Sequence, residues 1–165
     1  MSRAFVKESD VDTIDLPDRP LSEHPNFVTP EGLAAIERSL NRFNAAHTAA
    51  VDKNDRAAIA SARRELRYWR ARRASAQVIE PAADTSRVHF GATVTVRRDD
   101  GRMQTFRLVG EDEAEPARGT LSHVSPLARA VSGKSLGESV IILGHEAEIV
   151  EIKGARSPER LPEDG

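Results

Sequence analysis

Residues 33–69 read LAAIERSLNRFNAAHTAAVDKNDRAAIASARRELRYW, and their spacing decides the architecture of the first half of the chain. Leu33, Ile36, Leu40, Phe43, His47 and Ala50 recur at steps of three and four, which makes a narrow seam on a helix of coiled-coil period. Ile59, Ala62, Leu66 and Trp69 repeat the spacing, with Asp52-Lys53-Asn54-Asp55 between the two seams. So short a connection makes the helices antiparallel neighbours. Each is expected to run about 20 residues, or roughly 30 Å. The acidic segment then lies at the tip of a helical arm. At the other end, Thr29 is placed to cap the first helix, with Pro30 at its first position, where a missing N–H costs nothing. Both seams are rich in alanine, so the arm is expected to be slender and to depend on the domain at its base.

From Val88 the period changes. Val88 and Phe90, then Thr93-Val94-Thr95-Val96 and Thr105-Phe106-Arg107-Leu108-Val109, read as strands, with a hairpin turn at Asp99-Asp100-Gly101. Ser125-Pro126 before Leu127-Ala128-Arg129-Ala130-Val131 predicts a short helix capped by Ser125 and closed by Gly133. Val140 to Leu143 and Ala147 to Ile152 add two strands around a turn at Gly144-His145. The expected class is α+β: a helical hairpin over 29–80, then a small antiparallel sheet with one short helix over 86–154. Residues 1–28 carry Glu8, Asp10, Asp12, Asp15 and Asp18 with Pro17, Pro20 and Pro25 and have no periodicity, so an extended or disordered arm is expected. The tail, 155–165, is expected to be disordered.

Composition narrows the function classes. A chain of 165 residues, 39% apolar and only 4% aromatic, supports a modest core. It has no cysteine, which excludes disulfide and thiolate chemistry. Apolar runs fall far short of the roughly 20 residues that cross a bilayer, and residues 1–15 lack the order of a signal peptide. A cytoplasmic protein without membrane partners is expected. The net charge of −2 hides a strongly basic stretch, Arg63 to Arg73, and an acidic one, Glu111-Asp112-Glu113.

Three groups of residues carry possible chemistry. Asp52 and Asp55, three apart, can point the same way and offer carboxylate oxygens to a hard cation, since Mg²⁺ is commonly held by one or two carboxylates plus water and phosphate. The same spacing arises where Asp55 is only the N-cap of the second helix and Asp52 a solvated turn residue. Arg63, Arg67 and Arg70 share one helical face and can track a phosphate backbone, or can simply be a solvated face compensated by Glu65. Ser125-Pro126 is either a contact surface or no more than a helix start. Trp69, on the seam, is expected to anchor the arm to the sheet domain. The five histidines show no metal-ligand spacing, and no glycine loop for phosphate or nucleophile elbow is present.

Phe90-Gly91-Ala92-Thr93-Val94-Thr95-Val96, Phe106-Arg107-Leu108-Val109-Gly110-Glu111-Asp112-Glu113-Ala114, Ser125-Pro126-Leu127-Ala128-Arg129-Ala130 and Gly133-Lys134 resemble, in that order, the C-terminal domain of GreA/GreB transcript-cleavage factors. The likeness spans about 76–153 and extends more weakly through the hairpin to Thr29. It implies an N-terminal antiparallel coiled coil and an FKBP-like domain that docks on RNA polymerase at its secondary channel. It further implies that Asp52 and Asp55 are catalytic tip acids that assist a polymerase-bound Mg²⁺, with no cofactor or metal held by the isolated protein. Cleavage of the nascent RNA of a backtracked complex is then carried out by the polymerase, so the chain itself is an accessory factor and not an enzyme. Ser125 and Pro126 match the family's polymerase-binding Ser-Pro, though Val124 stands where an acid or amide is usual. Arg63, Arg67 and Arg70 match an RNA-proximal basic face; contact with nascent RNA and DNA template is indirect, and a monomer is expected.

The chain departs from the family at the arm. It is shorter by roughly 18 residues, about nine per helix, which takes roughly 13 Å off the reach. Lys53 and Arg56 also flank the tip acids. A regulator that binds the same channel without promoting cleavage is the alternative these departures raise. Peptidyl-prolyl isomerase activity, suggested by the implied fold alone, is disfavoured because the sheet domain offers only Phe90 and Phe106 to line an aromatic pocket.

Overall fold

The computed structural model describes residues 15–154. The expectations for residues 1–14 and for the tail 155–165 lie outside them. The described residues divide into two compact units, one of residues 15–25 with Leu33–Ala76 and one of Asn26–Gly32 with residues 77–154.

The first unit is the helical hairpin. Helix α1 (Pro30–Asp52) has 23 residues and α2 (Arg56–Ser75) has 20, or ~35 and ~30 Å of helix at 1.5 Å per residue. The seam read from the sequence is the face that is covered. Ile36, Ala50, Ala62 and Leu66 are buried, and Leu33, Leu40, Phe43, His47, Ile59 and Trp69 are half-buried, while Glu37, Arg38, Asn41, Arg42 and Asn44 face solvent. A salt bridge of 3.2 Å from Arg73 to Glu37 pairs the end of α2 with the beginning of α1, as antiparallel packing requires. α2 stops at Ser75, short of the expected boundary near 80, because Gln77–Val78 turns extended and forms strand β2 beside β1 (Phe27–Val28).

The second unit is built on a five-stranded sheet. Its strands are β3 (Thr93–Arg98), β4 (Met103–Val109), β5 (Thr120–Ser122), β6 (Ser139–Ile142) and β7 (His145–Lys153), in the order β5-β4-β3-β7-β6. Alternation sets the faces: Val94, Val96, Phe106, Leu108, Val140, Ile142, Ala147 and Ile149 point to one side, where Leu127, Ala128 and Val131 of α3 (Pro126–Val131) close the core. The sheet is mostly antiparallel, but β4 and β5 run parallel, with Arg107 opposite Thr120. A three-residue edge strand reached through a 3₁₀ turn at Pro116–Arg118 is too short to show a period, which is why it was not expected. Val88 and Phe90, expected in a strand, are not in one. Arg87 makes only an isolated bridge to Ser135, and Gly91, at φ 86°, turns the chain immediately before β3.

One carboxylate ties the first turn of α1 into this second unit. Glu113 Oε2 accepts the N–H of Thr29 and the N–H of Gly110, both at 3.0 Å, and Oε1 accepts the Thr29 hydroxyl. The Thr29 Oγ1 in turn accepts the Gly32 N–H at 3.0 Å, so the expected cap is formed. Two glycines make room for Glu113. A Cβ on Gly32 would lie 2.1 Å from its Cδ, and one on Gly110 would lie 2.5 Å from the Phe27 carbonyl oxygen. A glycine near the start of a helix is unfavourable in itself, and its reason here is the close approach of a side chain.

Candidate functional site

The tip turn is fully specified by backbone hydrogen bonds. Asp55 N–H donates to the Ala50 carbonyl at 2.9 Å and Asn54 N–H to Val51 at 3.0 Å, with Asn54 left-handed at φ 50°. This pair of bonds around a left-handed residue is a Schellman closure, and asparagine is the residue after glycine that best tolerates it. The residue that completes this closure also opens the next helix. Asp55 adopts an extended backbone, and its Oδ1 accepts the Ala58 N–H at 3.1 Å, so Asp55 is the N-cap of α2. Asp52 ends α1, and Asp52, Lys53, Asn54, Asp55 and Arg56 are all exposed. Asp52 and Asp55 thus both stand exposed in the tip turn, three residues apart. One oxygen of Asp55 is committed to the cap, and its other oxygen and the Asp52 carboxylate face solvent. That donor set suits partial coordination of a hard cation whose remaining ligands come from elsewhere.

Arg63 and Arg70 are exposed on α2. Arg67, between them, is occupied. Its Nη1 donates to both oxygens of Asp15 at 3.2 and 3.1 Å, its Nη2 to the Leu16 carbonyl at 2.9 Å, and its Nε to Asp18. Donating to Asp18, and then to Asp15, raises the proton affinity of this guanidinium above its usual value against opposing desolvation. In the reverse direction Arg19 Nη1 pairs with Glu65 at 2.7 Å and its guanidinium sits 3.7 Å over the Tyr68 ring. Within the stretch expected to be an extended or disordered arm, residues 15–25 have neither helix nor strand, and Asp15, Asp18 and Arg19 make ion pairs to α2. Trp69 meets Tyr68 edge-to-face at 5.0 Å and lies 5.7 Å from Arg19, both partners within the helical unit.

Ser125 and Pro126 belong to the other unit. Ser125 Oγ accepts the Ala128 N–H at 3.3 Å, so it caps α3 as expected, and Pro126 is exposed at the first helical position. The helix-start role is therefore filled whether or not the pair also forms a contact surface. Beside it, His123, Phe27 and Phe90 form a ring cluster with centroids 5.3 to 6.1 Å apart. Sequence reasoning missed Glu113 and the Asp15–Arg19 clasp. The signal for Glu113 was Gly32 in a helical first turn, a residue that needs a steric reason to be there. Among the described residues, no helix is long and apolar enough to cross a membrane.

The family described as "Transcription elongation factor, GreA/GreB, C-term" matches residues 83–154. The transcription elongation factor GreA of Alkalilimnicola ehrlichii is 45% identical over 86 residues, 48% of this chain and 54% of the relative, so the chain spans about half of that protein's length. The GreB of Pseudomonas aeruginosa is 32% identical over 155 residues, covering 80% of this chain and 92% of the relative. Among solved structures, GreA factor homolog 1 of Thermus thermophilus aligns at 15% identity and a TM-score of 0.37, over 79% of this chain and 100% of that one.

Proposed function

Because the chain belongs to the GreA/GreB family of transcription elongation factors, we propose that it binds RNA polymerase and acts through the polymerase secondary channel. In this reading the sheet domain docks through the edge that carries Ser125 and Pro126. The helical hairpin enters the channel and promotes cleavage of backtracked nascent RNA by the polymerase active site. The protein is an accessory factor, monomeric and cytoplasmic, and the bond is broken by the polymerase. Contact with RNA and DNA is made within the elongation complex, where Arg63, Arg67 and Arg70 lie toward the RNA.

The observation that carries this reading is the tip: a closed turn at the end of two packed helices that leaves Asp52 and Asp55 exposed together. A Mg²⁺ ion shared with the polymerase would supply charge neutralisation and an activated water. Asp52, and the Asp55 oxygen not used by Ala58, would donate to it. The chain brings no metal of its own to this step.

A second reading is favoured by specific features of the same tip. With helices of 23 and 20 residues the arm is shorter than the family resemblance implies, Asp55 shares its carboxylate with the α2 cap, and Lys53 and Arg56 stand beside the acids. Coordination needs contact at about 2 Å, so a shortfall of one helical turn ends it. The protein would then occupy the channel and modulate elongation without cleavage.

Crosslinking from the tip tests channel entry, which both readings share. The chain has no cysteine, so Lys53→Cys gives a unique thiol for a photoactivatable crosslinker. Crosslinks from elongation complexes should map to residues lining the secondary channel. Crosslinks confined to the outer surface of the polymerase would overturn both readings.

A further inference from the structure

We propose that residues 15–19 act as a built-in competitor for a nucleic-acid backbone: they hold Arg67 as a phosphate would, and so mask the centre of the arginine face of α2. Arg67 offers its guanidinium in three directions, and oxygens of one short segment fill all three, with Asp18 on Nε, both Asp15 oxygens on Nη1 and the Leu16 carbonyl on Nη2. A phosphodiester likewise offers anionic oxygen acceptors to the planar arginine fork. The return contact lengthens the clasp, because Arg19 takes up Glu65, the only acid in the α2 sequence, and stacks on Tyr68.

The clasp is of the kind that exchanges. Side-chain exposure is 33% at Arg67, 54% at Asp15 and 73% at Asp18, so these pairs are screened by water and salt and individually weak. Residues 15–25 lie in no helix or strand. Arg63 and Arg70 lie on the same face and are exposed, so a released Arg67 would complete a row of three cations at steps of four and three. In the sequence the acidic run continues upstream through Asp12, Asp10 and Glu8. The partner assigned to this face is single-stranded RNA, a flexible polyanion able to follow a helix-long row of arginines.

The test is fluorescence anisotropy of a labelled single-stranded RNA oligonucleotide with the full chain, its Asp15→Asn/Asp18→Asn variant, Arg67→Gln and the triple variant. At low salt the double variant should bind roughly five- to tenfold more tightly, and its plot of log affinity against log salt should steepen by about 0.7, the increment for one further phosphate contact on a single strand. Both gains should vanish in the triple variant, with thermal melts checking that every variant is folded. An unchanged affinity in the double variant overturns the proposal, as does a gain that survives Arg67→Gln, since that reports only the change in net charge. Tighter binding to RNA polymerase with RNA affinity unchanged also overturns it and assigns the face to protein. The proposal rests on the RNA-facing reading of Arg63, Arg67 and Arg70, and the two fail separately. If Arg63→Gln/Arg70→Gln weakens RNA binding while the Asp15/Asp18 variant does nothing, only the clasp falls. If no arginine substitution changes RNA binding, both fall.

Discussion

Replacing Glu113 with alanine removes one side chain and leaves three donors without a partner. The Thr29 N–H, the Thr29 hydroxyl and the Gly110 N–H all end on that carboxylate, and Thr29 is 0% exposed with Gly110 also buried. The hydroxyl can rotate to another acceptor, but the two backbone N–H groups cannot. An orphaned buried donor costs ~1–3 kcal/mol, so two give ~2–6 kcal/mol, and water admitted by the shorter side chain offsets part of this. We expect a loss of about 3 kcal/mol for Glu113→Ala. Glu113→Gln keeps the volume and one acceptor oxygen and should lose about half as much. Urea denaturation followed by far-ultraviolet circular dichroism measures the difference. The single tryptophan, Trp69, lies in the helical unit, so its fluorescence serves as an internal comparison for the other part of the chain. A loss below about 1 kcal/mol for Glu113→Ala would show that the carboxylate does not hold the start of α1 to the sheet unit.

Three further predictions rest on particular contacts. Asp55→Ala should destabilise the hairpin by ~1 kcal/mol, while Asp55→Asn, which can still accept the Ala58 N–H, should melt close to the parent by Trp69 fluorescence; equal melting of the two variants would remove the cap from the account. Gly110→Ala should cost ~2 kcal/mol or more, because its Cβ would meet the Phe27 backbone carbonyl at 2.5 Å, and a urea midpoint unchanged from the parent would contradict that approach. Stability should decline in acid. The Glu31 carboxyl is held below its ordinary range first by its backbone hydrogen bond, then by Thr29 and Arg107, against opposing desolvation, and the Asp100 carboxyl is lowered first by the Arg102 side chain. A lowered folded-state pKa contributes stability that is complete above the unfolded-state value and is lost as pH falls through the folded one, so the loss should fall below about pH 4. Both groups are largely exposed, so the decline should be shallow, and a urea midpoint that rises between about pH 5 and 3 would reverse the sign.

What the sequence made legible follows from local physics. Burying one stripe of a helix imposes steps of three and four, so Leu33 to Ala50 and Ile59 to Trp69 announced both helices and their covered faces. Thr29-Pro30 and Ser125-Pro126 announced two helix starts because a cap and a first-turn proline act within three residues. Glu113 reaches Thr29 across 84 positions, and an acid that binds buried donors is written with the same letter as an acid in solvent. The Asp15–Arg19 clasp was illegible for a similar reason: prolines and acids without periodicity read as a solvated arm, and only the fold places them against Arg67. At the tip, Asp55 carried two possible roles in the sequence, and the cap is one that it fills.

The most direct test of the proposed function is the length of RNA in backtracked elongation complexes of the cognate polymerase, followed on a gel with the parent protein, Asp52→Ala/Asp55→Asn and Asp52→Ala/Asp55→Ala. Asparagine at 55 preserves the cap, so any effect it shares with alanine belongs to the carboxylate and not to the fold. The account predicts that the parent shortens the RNA and that both double variants bind the complex without shortening it. Binding by the parent with no shortening at any concentration would contradict the cleavage reading and leave the channel-occupying one; no binding at all would contradict both.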